Sequence, residues 1–378
     1  MSQEARASIM EHFEEMPDPR EATKIEHKLI DIITVTLCAV ICGADGWVEV
    51  ETYGKAKYEW LKGFLELPNG IPSHDTFGRV FGMLDPEAFQ SYFLSWVKTV
   101  AKVTQGEVIA IDGKKLRRSY DKRLGKNAIH MVSAWATGNH LTLGQVAVED
   151  KSNEITAIPK LLKVLELNGC IVTIDAMGCQ KAITRQIIEQ KADYNIALKK
   201  NQGTLYEDVA DLFTYAQEVD FAHMTSDYHK TTDKGHGRID IRECWTLSNL
   251  EAFPHLRNLS KWEGLKTIVM IRRERRIEGK TSIDDKYYIS SLPNDAARLL
   301  ETTRRHWETE NSQHWVLDVA FREDDARVRQ GHAAENLGIL RRVALNLLKQ
   351  EKTAKCGIKI KRSKAGWDES YLLKVLLG

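Results

Sequence analysis

The sequence has no C-x-x-C pair, no long apolar run and little net charge, and the first two absences each exclude a class of protein. None of the six cysteines belongs to a C-x-x-C pair, which excludes a disulfide scaffold and a zinc finger. The longest uncharged apolar run, Ile32 to Ala44, is shorter than the roughly 18 residues that a membrane span needs. The first residues are polar and acidic, unlike a signal peptide. We therefore expect a soluble, cytoplasmic protein with no membrane partner.

Length and composition predict a globular chain with more than one domain. The 378 residues fit two or three domains, or one domain with a large insertion. A hydrophobic share of 43% excludes wholesale disorder. The net charge of +1 is unevenly spread, because residues 326–378 hold 12 Lys/Arg against 4 Asp/Glu. This segment favours a polyanion partner, and a solvated basic helix explains it equally well.

The first 105 residues predict a helical domain. Apolar spacing and capping residues indicate helices at 27–42, 47–64, 73–83 and from 86 onward. The short third helix, with Arg79 exposed, is compatible with a helix-turn-helix DNA reader. A plain helical bundle is the favoured interpretation.

After residue 106 the pattern changes to strands and helices. Strands are predicted at 107–111, 130–137, 140–148, 170–174 and 194–198, with helices at 156–167 and 180–191. This order indicates an α/β domain with a mixed sheet. Residues 203–285 read as polar loops and short strands at 239–245 and 267–271, which predicts a β-rich insertion, with a further strand at 286–290. A helix capped by Asn294 then runs from 296 to about 315, and a last helix covers 332–350.

Two aspartates follow buried strands of this domain. Asp112 and Asp175 each come after an apolar run and precede a small residue. If the two strands are neighbours, the carboxylates meet at one sheet edge and repel each other unless a cation intervenes. Oxygen ligands suit Mg²⁺ or Mn²⁺, and two such ions can promote phosphoryl transfer. The alternative is that each aspartate caps a turn; two aspartates at matched strand ends favour the metal site.

A third acid is expected on the late helix. Glu310 has His306 and His314 four residues away on either side, so the three share a helix face. Asp318 and the acidic run 323–325 are alternative third acids. A zinc site through the two histidines and Glu310 is disfavoured, because their spacing differs from that of a helical zinc pair.

Basic residues accompany these acids and suit a phosphodiester backbone. They are Lys114, Lys115, Arg117, Arg118, Lys199, Lys200, Arg304 and Arg305. In the insertion, Trp262 lies among bases such as Arg238 and is a candidate for stacking on unpaired nucleotides. Core packing is the commoner role of such a tryptophan.

Several segments together resemble insertion-sequence transposases of the DDE type, in the branch of the H-repeat-associated proteins of enteric bacteria. They are DPREATKIEHKLIDIITVTLCAVICGADGW, EVIAIDGKKLRRSYDK, EDKSNEITAIP, TIDAMGCQ, LKKNQG and RRHWETENSQHWVLDVAFREDDARVRQGHAAENL. The resemblance covers nearly the whole chain. It implies a ribonuclease H-like catalytic domain at 106–325, with the β-rich insertion at about 203–285. A helical domain at 1–105, for terminal-repeat DNA, would precede it, and a basic helical tail at 326–378 would follow.

The resemblance also implies a chemistry. Asp112, Asp175 and Glu310 would hold two Mg²⁺ or Mn²⁺ ions. Water, and then a 3′-hydroxyl, would attack phosphodiesters at the ends of the element, with a homodimer bound to DNA in the nucleoid. The family's Y-x2-R-x3-E-x6-K signature is not kept, since Thr303, His306 and Leu317 occupy those positions; His306, Arg304 or Arg305 would then supply the basic group. The competing hypotheses are a DNA-binding protein without catalysis and a metal-dependent nuclease without strand joining.

Overall fold

The computed structural model describes residues 10–100, 105–120, 127–148, 153–235 and 237–377. Its N-terminal part is helical, as predicted. Ser73 caps the fifth helix by accepting a hydrogen bond from the backbone N–H of Thr76, and Pro86 occupies the first position of the sixth, where it is favoured. The helices are α1 (Met10–Glu14), α2 (Leu29–Ile41), α3 (Trp47–Ala56), α4 (Tyr58–Lys62), α5 (His74–Met83) and α6 (Pro86–Val100).

The next part alternates strands and helices in the predicted order. Its elements are β1 (Val108–Lys115), β2 (His130–Ala136), β3 (Leu141–Val148), α7 (Glu154–Val164), β4 (Ile171–Ile174), α8 (Lys181–Glu189) and β5 (Asp193–Leu198). Strands β1, β4 and β5 are parallel, whereas β2 and β3 are antiparallel to their neighbours. The predicted mixed sheet is therefore confirmed.

The insertion is more regular than predicted. Its elements are α9 (Gly203–Glu218), β6 (Ser226–Gly235), β7 (Arg238–Leu247), β8 (Thr267–Ile277) and β9 (Lys280–Ser290). The predicted polar loop contains α9, which buries Leu205, Val209 and Phe213 at intervals of four residues. The strands are also longer than predicted, because their outer halves are held by cross-strand pairing and carry polar side chains. We call β6–β9 the extension.

All nine strands form one sheet in the order β3-β2-β1-β4-β5-β9-β8-β7-β6. Pairing of β5 with β9 ends at Leu198 and Tyr287, whereas β9 begins at Lys280. The extension therefore projects beyond the edge at which the parallel strands end. This is the edge at which ligands bind in open α/β sheets.

Strand β1 does not end before Asp112 as predicted. It continues to Lys115, because Asp112 and the three residues after it pair with β2, Asp112 lying opposite Ser133. Strand β1 also neighbours β4, with Ile111 opposite Ile174. The sheet thus meets the condition set for the two aspartates, since Asp112 and Asp175 each follow one member of this pair.

The remaining helices are α10 (Ala296–Thr309), α11 (Trp315–Phe321), α12 (Ala333–Gln350), α13 (Ile358–Trp367) and α14 (Glu369–Leu377). Helix α10 is capped by Asp295, whose side chain accepts from the backbone of Arg298; the predicted cap Asn294 was wrong by one residue. One π-helical turn, Glu310–His314, separates α10 from α11. The long helix predicted from the sequence is thus interrupted at Glu310.

Helix α12 packs against α2, α5, α6 and β3 and is buried along most of its length. Arg362 of α13 is buried and donates to the backbone carbonyls of Val40 and Ala44 in the N-terminal part. Part of the positive charge of residues 326–378 is therefore used inside the protein. Over the described ranges, no helix has both the length and the apolar character needed to cross a membrane.

Candidate metal centre

Side chains from two distant parts of the chain converge beside β1. Asp112, Glu310 and His314 each offer a ligand atom, and these atoms lie within 4.8 Å of one another. His314 Nδ1 is 3.2 Å from a carboxylate oxygen of Glu310 and 3.6 Å from one of Asp112. A single cation between them could contact all three groups.

The π turn brings two of these groups to the sheet. Its first residue is Glu310, which is exposed, and its last is His314, which is buried. The buried Gln313 anchors the turn, because its amide donates to the Thr142 hydroxyl at 2.9 Å. π turns inside helices occur frequently at functional sites.

His306 does not join this group. Its Nδ1 lies 3.0 Å from the hydroxyl of Thr173 on β4, and burial lowers the pKa of its imidazole to about 4. The disfavoured zinc site through His306, Glu310 and His314 is not the group that the structure assembles. The sequence pattern places His314 on the same helix face as Glu310, but it suggested His314 as a ligand only in the disfavoured zinc site.

The electrostatics of the centre favour a cation. Burial, together with the negative charges of Asp175, Glu154 and Glu310, raises the pKa of Asp112 to about 7. Burial and the charge of Glu154 also raise the pKa of Asp175. Within the described part of the chain, His314 Nε2 is buried without a hydrogen-bond partner. Carboxylate oxygens are the ligands that suit Mg²⁺ and Mn²⁺, so Asp112 and Glu310 fit such a divalent cation.

Asp175 lies directly after β4 and also caps a short turn. Its carboxylate accepts a hydrogen bond of 3.0 Å from the backbone N–H of Met177. The structure thus shows Asp175 as a turn cap, and Asp175 is not one of the three residues whose ligand atoms lie within 4.8 Å of one another. A cleft of about 170 Å³ opens beside it, with Lys199 and Trp307 in its walls.

Glu154 is a fourth acid of the centre that the sequence analysis missed. It is the first residue of α7, it is buried, and its carboxylate is 2.8 Å from Nε2 of His130. A Cβ atom at position 113 would collide with the ends of both of these side chains, so a larger residue after Asp112 would force them to move. Acidic residues are common in the first turn of a helix because they interact favourably with the helix dipole. Glu154 therefore could not be distinguished by sequence from an ordinary residue at a helix start.

Two residues predicted to contact DNA lie inside the protein. The Lys114 ammonium is buried and pairs with Asp318 and Glu323. Trp262 is only 3% exposed and packs in the main core. Their burial removes both side chains from the surface that the prediction assigned them. It also engages Asp318, the alternative third acid, in an ion pair.

The other predicted DNA contacts lie at the surface, apart from the buried His306 described above. Arg79, Lys115, Lys199 and Lys200 are exposed. Five arginines are at least partly exposed and pair with acids: Arg117 with Asp324, Arg118 with Asp325, Arg238 with Asp240, Arg304 with Asp233 and Arg305 with Glu301.

Comparisons with known proteins agree with the sequence resemblance. The family model described as "Transposase DDE domain" matches residues 104–347, and the model "DDE_Tnp_1-associated" matches residues 10–97. The "Putative transposase YncI" of Escherichia coli O157:H7 is 42% identical over 98% of this chain and 94% of its own length. The "H repeat-associated putative transposase YhhI" of Escherichia coli K12 is 40% identical over 98% of both chains.

One solved structure with partial similarity is a piggyBac transposase synaptic complex with hairpin DNA. It has a TM-score of 0.43 and 11% identity, and the match covers 95% of this chain and 76% of that one.

Proposed function

Because the chain belongs to the DDE transposase family, we propose that it cleaves DNA strands at the ends of an insertion sequence and joins them to target DNA. The convergence of Asp112 and Glu310, some 200 residues apart in the chain, with His314 carries the proposal. The electrostatic influence of Asp175 on Asp112 supports a shared site. The reaction class is metal-dependent phosphodiester hydrolysis followed by transesterification.

Each residue has a role in this proposal. Asp112, Asp175 and Glu310 would hold the divalent cations, two Mg²⁺ or Mn²⁺ ions, and His314 would orient Glu310 through their 3.2 Å contact. Cations in such a site activate the attacking hydroxyl and stabilise the leaving oxygen. Lys199 and Lys200 are exposed beyond the end of β5 and would attract phosphates to the sheet edge.

The architecture supports two further parts of the proposal. Strands β1–β5, in the order β3-β2-β1-β4-β5 with α10 against them, would form a ribonuclease H-like core. The N-terminal helices, matched by the transposase-associated family model, would bind the terminal repeats. Bringing two DNA ends together would need two protomers, so the active form on DNA would be a homodimer.

The test uses purified full-length protein with Mg²⁺ and a duplex that carries the inverted repeats read from the DNA flanking the gene. Wild-type protein should release a 3′-hydroxyl end and join it to a second duplex. Asp112→Asn and Glu310→Gln should lower cleavage by at least about a thousandfold, because a lost ligand removes much of the transition-state stabilisation.

Glu308→Gln is the matched control, because Glu308 is an exposed glutamate two residues from Glu310. It should cleave at the wild-type rate. Undiminished cleavage by Asp112→Asn would contradict the site assignment. DNA binding without any metal-dependent product would instead indicate a binding protein, and cleavage without joining would indicate a nuclease.

A further inference from the structure

An uneven group of charges lies on the extension. Asp240, the third residue of β7, has a side chain that is 3% exposed and that contacts the guanidinium groups of four arginines. Arg273 and Arg275 approach one of its carboxylate oxygens at 3.2 and 2.8 Å, and Arg238 and Arg242 approach the other at 3.1 and 3.7 Å. We call these four residues the arginine fan.

The fan is held in place without being neutralised. Asp240, together with Asp233, which pairs with Arg242, contributes two negative charges against the four positive ones of the fan. Although burial acts to raise it, the hydrogen bond from Arg275 and the surrounding arginine charges keep the pKa of Asp240 below its usual range. The arginines keep 48%, 17%, 35% and 31% of their side-chain surface exposed, in chain order. Their outer donor atoms thus face solvent in a fixed arrangement, with a surplus of positive charge.

The opposite face of the same strands is different. Successive residues of a strand point to opposite faces, so Arg272 and Arg276 point away from Asp240. Arg272 pairs with Asp285 through two hydrogen bonds, and Arg276 pairs with Glu274. Each arginine there has its own acid. The surplus of positive charge is therefore a property of the face that carries the fan.

The fan is continuous with the metal centre along α10. Asp233 on β6 pairs with Arg242 of the fan and with Arg304 of α10. Lys286 lies on the same side of the sheet, since its ammonium sits 4.7 Å from the ring centre of Trp307, three residues before Glu310. The row of Asp240 is four residues along the strand from the row of Lys286, about 14 Å. The fan thus lies on the order of 20 Å from Glu310, counting about 1.5 Å per helical residue for the remainder.

We propose that the arginine fan binds the phosphodiester backbone of duplex DNA. Planar guanidinium groups bind phosphate oxygens through paired hydrogen bonds, and a surplus of fixed positive charge matches a polyanion. The position of the contact rests on the proposed function: with cleavage at the metal centre, the fan meets phosphates roughly six base pairs from the cleaved bond, at about 3.4 Å per base pair.

The first test compares two double variants of the same strand. Arg273→Gln with Arg275→Gln removes two fan charges, and Arg272→Gln with Arg276→Gln removes two charges from the opposite face. The affinity of full-length protein for a 30-base-pair duplex is measured against salt concentration. Each lost phosphate contact should lower the slope of log affinity against log salt by about 0.9, so the fan variant should lose about 1.8 and the control should match wild type.

Equal losses in both double variants, or a loss in neither, would overturn the proposal. Thermal unfolding of each variant shows whether it is folded. If the fan double variant does not fold, the single Arg238→Gln, at the most exposed fan position, replaces it with an expected slope change of about 0.9.

The second test locates the contact. Phosphate ethylation interference is measured on the terminal-repeat duplex. Ethylation of phosphates about six base pairs from the cleavage site should weaken binding of wild-type protein and should not weaken binding of the fan variant. Interference that is identical in the two proteins would overturn the proposal. Asp112→Asn should keep the wild-type salt slope. DNA binding by the fan is therefore tested independently of cleavage. Conversely, cleavage without the fan contact would contradict this proposal but not the proposed function.

Discussion

Arginines meet buried carboxylates in two regions of this protein, with different outcomes. Between β1 and α12, Glu323 is fully buried and lies 2.8 Å from the equally buried Arg342 and 3.0 Å from Lys114. On the extension, Asp240 is as well hidden, but the arginines around it remain partly exposed. Glu323 and Arg342 are closed to solvent, whereas the arginines around Asp240 are open to solvent on one side.

The difference shows what each network can do. Although burial acts to raise it, the charges of Arg342 and Lys114 lower the pKa of Glu323 to about 2. The ionised Glu323 therefore pairs with both cations and links α12 to the sheet. A buried network offers no donor that a ligand from solvent can reach. An open network with more cations than anions has donors left over, and these can only be satisfied by water or by another anion.

The largest expected effect is on the closed network. Glu323→Gln would leave Lys114 and Arg342 buried with their main counter-charge removed. Loss of one partner from a buried ion pair typically costs about 3–5 kcal/mol, and urea unfolding should show a loss of this size. A loss below about 1 kcal/mol would mean that the network is not the structural element described above.

Asp112 is a third buried carboxylate to compare with Glu323 and Asp240, and its charged neighbours are acids and not cations. Its pKa of about 7 in the fold, against about 3.9 when unfolded, means that the folded state binds its proton more tightly. The tighter proton binding by Asp112 contributes to the stability of the fold fully below about pH 4, and this contribution is lost as the pH rises towards 7. Asp112→Asn should therefore stabilise the metal-free protein, by about 2 kcal/mol more at pH 8 than at pH 5.

Thermal or urea unfolding in EDTA at the two pH values measures this. Glu308→Gln, which leaves the centre intact, should show no such pH-dependent gain. Equal stabilisation by Asp112→Asn at pH 5 and pH 8 would contradict a raised pKa. Adding Mg²⁺ or Mn²⁺ to wild-type protein at pH 8 should raise its stability in the same direction, since ligand binding to the folded state stabilises it.

The smallest expected effect is on the open network. Asp240→Asn keeps the shape of the side chain, and the released guanidinium groups can turn to solvent. Ion pairs whose cation remains in contact with solvent contribute up to about 1 kcal/mol, and the arginines around Asp240 keep this contact. The loss in urea unfolding should therefore be about 1 kcal/mol. A loss comparable to that of Glu323→Gln would show that the fan serves the fold rather than a ligand.

The sequence predicted the central sheet well because local signals determined it. The strands that became β1, β4 and β5 are short apolar runs between turn residues, and their order restricts the topology. The helical start at Pro86 and the Ser73 cap are likewise local. β6 was missed because it is an exposed edge strand with little apolar alternation.

The site was predicted less completely, because burial depends on residues far away in the chain. Lys114 is next to exposed basic residues in sequence, yet Asp318 and Glu323, some 200 residues later, draw it into the interior. Trp262 is buried because the insertion folds back over α8, where Lys181 contacts its ring. Glu154 joined the centre through packing across Gly113, and no local pattern encodes that approach.

The π turn at Glu310–His314 makes the candidate site depend on the number of residues in one helical turn. Each helical residue rotates the chain by about 100°, and the turn holds one residue more than an α turn. Because a π turn completes about the same rotation as an α turn, deleting one of the residues between Glu310 and His314 would leave an α turn and keep Leu317 and Phe321 of α11 in the core. The deletion would instead shorten the spacing between Glu310 and His314. The extra residue therefore serves the placement of Glu310 and His314 and not the packing of α11, and a deletion with no loss of charge would disturb the candidate site while the core stays packed.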